Sequence, residues 1–166
     1  AGFPISVVNW DVNAFTRGAR SVNPAIEVIA TFANTWYDPV KEKQAAEAML
    51  EQGADVIACN MSSTAVVVAA EAAGAYSIGF QNDMSAAGPN GHLTSVVFNW
   101  ENYYIDAIKR MSSPDWESDG LPLAGMEIAL ADITPLSDAV PQDMKDKIAQ
   151  VRQRMSDGSF SPYSGP

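Results

Sequence analysis

Apolar and polar positions along the chain predict helices that alternate with strands. From Asp11 to Arg20 the apolar residues recur at helical spacing, and Asn23-Pro24 ends that helix. The segment AIEVIATF, residues 25–32, is β-branched and apolar enough for a buried strand. Asp38-Pro39 then supplies an N-cap followed by proline at the first helical position, so a helix is expected to follow.

The same alternation continues to the end of the chain. Strands are predicted for ADVIACN, YSIGF, LTSVVF and AGMEIALADI, and helices for STAVVVAAEAAG, WENYYIDAIKRM and a last segment that Val140-Pro141 opens and that ends near Ser156. In WENYYIDAIKRM the apolar side chains, expected to face inward, are Tyr104, Ile105, Ile108 and Met111. A polar linker from Ser112 to Gly120 precedes the last strand.

Strands and helices at this spacing predict an α/β fold, a three-layer sandwich around a mainly parallel sheet. A chain of 166 residues is long enough for one such domain, residues 1–166. Ligands of these sheets bind beyond the carboxyl ends of the strands. The residues expected there are aromatic and neutral-polar, and those selected as ligand-binding are Trp36, Asn60, Ser62, Ser63, Phe80, Asp83 and Trp100, with Trp10 near the front of the chain added to them.

Two rings and one carboxylate from this set are sufficient to bind a small flat compound. Stacking contributes ~1–3 kcal/mol per nucleic-acid base, and a hydrogen bond to a charged group ~1.5–3 kcal/mol. Micromolar affinity requires about −8 kcal/mol in total. The sequence therefore predicts a site for a small planar heterocycle.

Each selected residue also has a structural alternative. Trp36, Phe80 and Trp100 can equally be packing residues at the ends of their elements. Asp83 can form an Asx turn, and Asn60 and Ser62 can cap the next helix. The residues alone leave these alternatives open.

Charge and missing motifs exclude several functions. Twenty acidic residues against ten basic ones give a net charge of −10, which disfavours nucleic acid and anionic membrane surfaces. One His and one Cys are too few residues for a His/Cys zinc site. The sequence also contains no glycine-rich phosphate loop and no nucleophile elbow. The sequence pattern does not bring the carboxylates of Asp83, Glu101 and Asp132 together as an acid pair. No catalysis, metal or cofactor is therefore expected.

Four segments resemble the basic membrane protein family of substrate-binding lipoproteins. They are TWYDPVKEKQAAEAMLEQGADVI, IGFQNDM, HLTSVVFNWENYY and LSDAVPQDM, and the resemblance runs from about Asn13 to the C-terminus. It implies the fold of type I periplasmic binding proteins, in which two α/β lobes close on a ligand delivered to an ABC permease. It also implies a purine base or nucleoside as ligand and a periplasmic or cell-surface lipoprotein. Asp83 is the best-matched polar ligand group.

The resemblance covers only part of the length of a family member. Members are longer, so the chain is expected to correspond to the second lobe, with residues from about 120 to 166 partly belonging to the hinge or the other lobe. An isolated lobe exposes its cleft and hinge surface, which predicts self-association, and a strictly monomeric sedimentation profile would contradict it. Two other classes stay open: the effector-binding domain of a sugar-type transcription regulator, and a flavodoxin-like enzyme.

Overall fold

The computed structural model describes residues 1–118 and 125–160, and its centre is a sheet of four strands. In spatial order these are β1 (Val56–Ala58), β2 (Tyr76–Gln81), β3 (His92–Phe98) and β4 (Ala131–Ile133). The pairs β1–β2 and β2–β3 are parallel, whereas β4 is antiparallel to β3. The predicted α/β class with a mainly parallel sheet is confirmed.

Five α-helices accompany the sheet in the described residues. They are α1 (Ser6–Val22), α2 (Pro39–Glu51), α3 (Ala65–Ala72), α4 (Trp100–Met111) and α5 (Gln142–Ser156), with short 3-10 helices at Ser85–Ala87 and Met126–Ile128. Each predicted helix is present, and α1 extends the predicted range at both ends. Within the two described ranges, none of the helices has the length and apolar character needed to cross a membrane.

The start of α2 follows the expected capping chemistry. The Lys41 backbone N–H donates to the Asp38 carboxylate at 3.1 Å, and Pro39 is the first helical residue. Gly53 follows the helix with a φ of +92°, a conformation that favours glycine. Asp38 and Pro39 therefore set the start of this helix, and Gly53 sets its end.

One face of the sheet carries the hydrophobic core. α2 and α3 pack there, and the buried side chains include Ala46, Ile57 and Val66. Because residues alternate along a strand, Ile78 and Phe80 of β2 lie on the opposite face from Ile57.

The strand predicted at residues 25–32 is wrong for the described chain. These residues form no strand, and Ile26 and Ile29 are exposed. Backbone contacts concentrate at the end of the segment, where the Ala1 nitrogen donates to the Thr31 carbonyl at 2.8 Å and the Ala33 N–H donates to the Ala1 carbonyl at 2.9 Å. A β-prone segment becomes a strand only where a partner pairs along its length.

The last predicted strand, AGMEIALADI, is much shorter than expected. Met126–Ile128 forms a 3-10 turn, and Ala129 adopts a left-handed φ of 55° before the three-residue β4. This backbone turn breaks the extended conformation. The first residue of that prediction, Ala124, and the end of the predicted linker, Gly120, lie outside the described residues.

The apolar side chains of α4 do not face inward as predicted. Tyr104, Ile105, Ile108 and Met111 are 44–63% exposed. Helical periodicity identifies an apolar face, but it does not show whether another element covers that face. The apolar face of α4 is therefore exposed.

A candidate ligand site at the carboxyl edge of the sheet

Aromatic side chains from β2, β3 and α4 form a continuous cluster, called here the ring cluster: Phe80, Phe98, Trp100 and Tyr104. Ring centroids are 5.7 Å apart for Phe80–Phe98 and 5.9 Å for both Phe98–Trp100 and Trp100–Tyr104. Trp100 and Tyr104 are stacked with 24° between their planes, and Trp100 is 48% exposed. The structure thus connects Phe80 to Trp100 through Phe98, which sequence analysis did not select.

Asp83 lies two residues beyond β2 and is exposed. The Ser85 backbone N–H donates to its Oδ1 at 2.9 Å, which is the Asx turn considered above. Hydrogen bonds from the Ser85 backbone and side chain lower the pKa of the Asp83 carboxyl. The edge of the sheet therefore presents an anionic acceptor near neutral pH.

A buried polar cluster holds the loop that carries Asp83. The Met84 backbone N–H donates to Ser95 Oγ at 3.1 Å, and Ser95 Oγ lies 2.9 Å from His92 Nε2. The other ring nitrogen, Nδ1, is 3.1 Å from Ser77 Oγ. Burial lowers the pKa of His92, so its imidazole is neutral near pH 7. These hydrogen bonds hold the loop after β2 against the buried side chains of β3.

Two side-chain hydrogen bonds connect the loop after β1 to β2 and to α1 at the same edge. Ser62 Oγ, after β1, donates to Gln81 Oε1 at 3.1 Å. Asn60 Nδ2 donates to Asp11 Oδ2 on α1 at 3.0 Å. Asn60 is therefore close to the part of α1 where the selected Trp10 is exposed.

Ser63 points into the protein rather than to the open edge. It is buried, and its hydroxyl donates to the Glu42 carboxylate, which is only 1% exposed. The same carboxylate accepts the Asp38 backbone N–H at 3.0 Å. Glu42 was not selected from the sequence because neither of these partners follows from local spacing. Ser63 and Glu42 fix the loop after β1 to α2.

A small cavity lies beside this buried pair. It has a volume of about 20 Å³ and is lined by residues including Glu42, Cys59 and Asn60. That volume accommodates one water molecule and is too small for a purine. Burial raises the pKa of the Cys59 thiol to about 11, so this group is not a reactive thiolate at neutral pH.

The selected Trp36 has a different aromatic partner. It packs on Phe3 with ring centroids 4.9 Å apart and an angle of 61°. Both Trp36 and the adjacent Tyr37 are exposed. The structure therefore places Trp36 against the N-terminal residues and not in the ring cluster.

Asp132, one of the carboxylates that could have formed an acid pair, is bound to α5 instead. Asp132 on β4 accepts Arg152 Nε at 2.7 Å together with a second hydrogen bond from the same guanidinium. The bond from Arg152 lowers the pKa of Asp132. Asp132 thus anchors α5 to the sheet. Across residues 1–118 and 125–160 no group of three or more His, Cys, Asp or Glu side chains is placed to hold a metal ion.

A mainly parallel sheet with rings, amides and an exposed carboxylate at its carboxyl edge is the architecture of an α/β ligand-binding domain. The chain belongs to the Bmp family, described as ABC transporter substrate-binding protein PnrA-like, and the match to this family covers residues 1–164.

Two relatives show how much of a family member this chain represents. It is 35% identical over 163 residues to a purine-binding protein of Brucella abortus, covering 98% of this chain and 46% of that protein. It is 32% identical over 165 residues to a Haloferax volcanii protein named for glucose binding by an ABC transporter, covering 99% of this chain and 42% of that protein. The chain therefore spans less than half the length of these relatives.

Solved structures share the fold. A transcriptional activator of the comK gene from Bacillus halodurans superimposes with a TM-score of 0.84 at 22% identity, covering 98% of this chain and 56% of that one. An ABC transporter solute-binding protein from Conexibacter woesei gives a TM-score of 0.65 at 22% identity, covering 88% and 49%. At such identities the likeness establishes the fold alone.

Proposed function

We propose that this chain is part of a solute-binding receptor of an ABC importer and that it recognises a small planar heterocycle, such as adenine or a purine nucleoside. The observation that carries the proposal is the ring cluster at the carboxyl edge of the sheet, where the exposed Asp83 follows Phe80 by three residues. A flat aromatic ligand gains stacking contacts from exposed rings, and a carboxylate accepts hydrogen bonds from its N–H groups.

The proposal assigns different roles to the selected residues. Phe80 and Trp100 provide the aromatic surface, and Asp83 is the principal acceptor. Asn60 and Ser62 line the edge of the sheet. Ser63 has an indirect role, since its hydrogen bond to Glu42 fixes the loop after β1 to α2. Trp10 and Trp36 border the site from the N-terminal side, where both side chains are exposed.

The purine-binding relative supports this choice of ligand class. Because the chain covers less than half of that relative, the opposing wall of the site is expected to come from another part of a two-lobe receptor. The proposed partner is an ABC permease, and the proposed location is outside the cytoplasmic membrane on a lipid anchor. Self-association stays a prediction, and the open apolar face of α4 supports it.

Calorimetric titration of the natural full-length protein tests this function. The ligands are adenine, guanine, adenosine, riboflavin and glucose. At least one purine is expected to bind with micromolar or tighter affinity, while glucose, which has no aromatic face, does not bind at the ring cluster. Failure of every purine to bind, or binding of glucose alone, would contradict the proposal.

A further inference from the structure

Gln81 has an unusual backbone conformation at the proposed site. It is the last residue of β2, and its φ is +69°, in the left-handed region. Residues other than glycine rarely adopt this conformation, because the Cβ atom is crowded there. Such conformations persist where the surroundings impose them, and they concentrate at ligand sites.

The Gln81 side chain is oriented by its neighbour on the adjacent loop. Ser62 Oγ donates to Gln81 Oε1, which fixes the direction in which the amide points. The amide nitrogen carries two donor hydrogens. Among the described residues no protein acceptor receives a hydrogen bond from this nitrogen. Gln81 is exposed, so these donors are accessible to a ligand.

Two residues further along the chain, Asp83 offers the complementary group. Its carboxylate is anionic and can only accept hydrogen bonds. The end of β2 therefore carries a donor, the Gln81 amide, and two residues further along an acceptor, the Asp83 carboxylate, in the chain that follows Phe80.

We infer that the Gln81 amide is a specificity-determining donor, which selects ligands that carry an acceptor atom beside an N–H group. This inference rests on the proposed function. In adenine the amino group is flanked by the acceptor nitrogens N1 and N7, and glutamine amides form hydrogen bonds with such an edge. Asp83 accepts from the amino group, while Gln81 donates to one flanking nitrogen.

Deaza analogues and a Gln81 variant together test this assignment. Calorimetry on the natural full-length protein measures adenine, 1-deazaadenine and 7-deazaadenine, with 3-deazaadenine as reference. For the wild-type protein, one of the two analogues that lack a flanking nitrogen, 1-deazaadenine or 7-deazaadenine, is expected to bind at least tenfold more weakly than adenine. This factor corresponds to the loss of roughly one good hydrogen bond. In Gln81→Met this penalty disappears, and adenine binds as weakly as that analogue does.

Gln44→Met is the matched control, because Gln44 is exposed on α2. It is expected to keep the wild-type pattern of deaza penalties. Equal penalties in Gln81→Met and wild type would overturn the inference while leaving purine binding intact. Wild-type protein that binds no purine would overturn the proposed function and this inference with it.

A second variant separates a binding role from a folding role. Gln81→Gly removes the crowded Cβ at positive φ, so its melting temperature is expected to equal or exceed that of the wild type. Its adenine affinity is nevertheless expected to fall at least tenfold. Wild-type affinity in Gln81→Gly would overturn the assignment.

Discussion

Replacing Gly79 by alanine is expected to lower the free energy of unfolding by at least about 2 kcal/mol, since overpacking alone costs ~1–3 kcal/mol. A Cβ atom at this position would clash with Ser95 Oγ and would lie 3.0 Å from His92 Cε1 and 3.1 Å from Met84 Cβ. Ser95 is fully buried, so it cannot move aside without losing its hydrogen bonds to His92 and to the Met84 backbone. Thermal unfolding followed by circular dichroism measures the loss.

The chain provides a control for this substitution. A Cβ atom at Gly18 meets nothing within 4 Å, and the residue lies inside α1. Gly18→Ala is therefore expected to stabilise the protein by about 0.5–1 kcal/mol through helix propensity. A Gly79→Ala protein that melts at or above the wild-type temperature would show that the close packing around Ser95 is not present.

Replacing Asp83 by asparagine is expected to weaken adenine binding by about ten- to a hundredfold, the equivalent of a hydrogen bond to a charged group at ~1.5–3 kcal/mol. Asparagine keeps the oxygen that accepts the Ser85 N–H, so the Asx turn and the fold are retained. What is removed is the negative charge and one acceptor. Calorimetric titration with adenine measures the change in affinity.

Asp55→Asn is the matched control for this change. Asp55 is exposed and precedes β1, at the amino end of the sheet, so the same loss of charge occurs at the opposite edge. Its adenine affinity is expected to equal that of the wild type. An equal loss of affinity in both variants would indicate a general effect of net charge and would remove Asp83 from the site.

Local signals in the sequence were sufficient for the helices and for two of the four rings in the ring cluster. Asp38-Pro39 and Gly53 fixed α2 because capping depends on the backbone within one turn. The rule that ligands bind beyond the carboxyl ends of parallel strands selected Phe80 and Trp100 together, and both belong to one connected set of rings.

Features that depend on distant partners could not be predicted in the same way. Residues 25–32 have the composition of a strand, but pairing is a property of the neighbours and not of the segment. The bond from Ser62 to Gln81 and the one from Ser63 to Glu42 join residues 19 and 21 positions apart. Such side-chain pairs depend on where a loop lies against a distant strand or helix, and the periodicity of the sequence carries no information about that.

The signals of the tryptophan indole N–H groups in a proton–nitrogen correlation spectrum test the central claim most directly. The four tryptophans are Trp10, Trp36, Trp100 and Trp116, and only Trp116 lies outside the proposed site. Saturating adenine is expected to displace the Trp100 signal most and to leave the Trp116 signal unchanged. Adenine binding with an unmoved Trp100 signal, or with changes confined to Trp116, would contradict a purine site at the ring cluster.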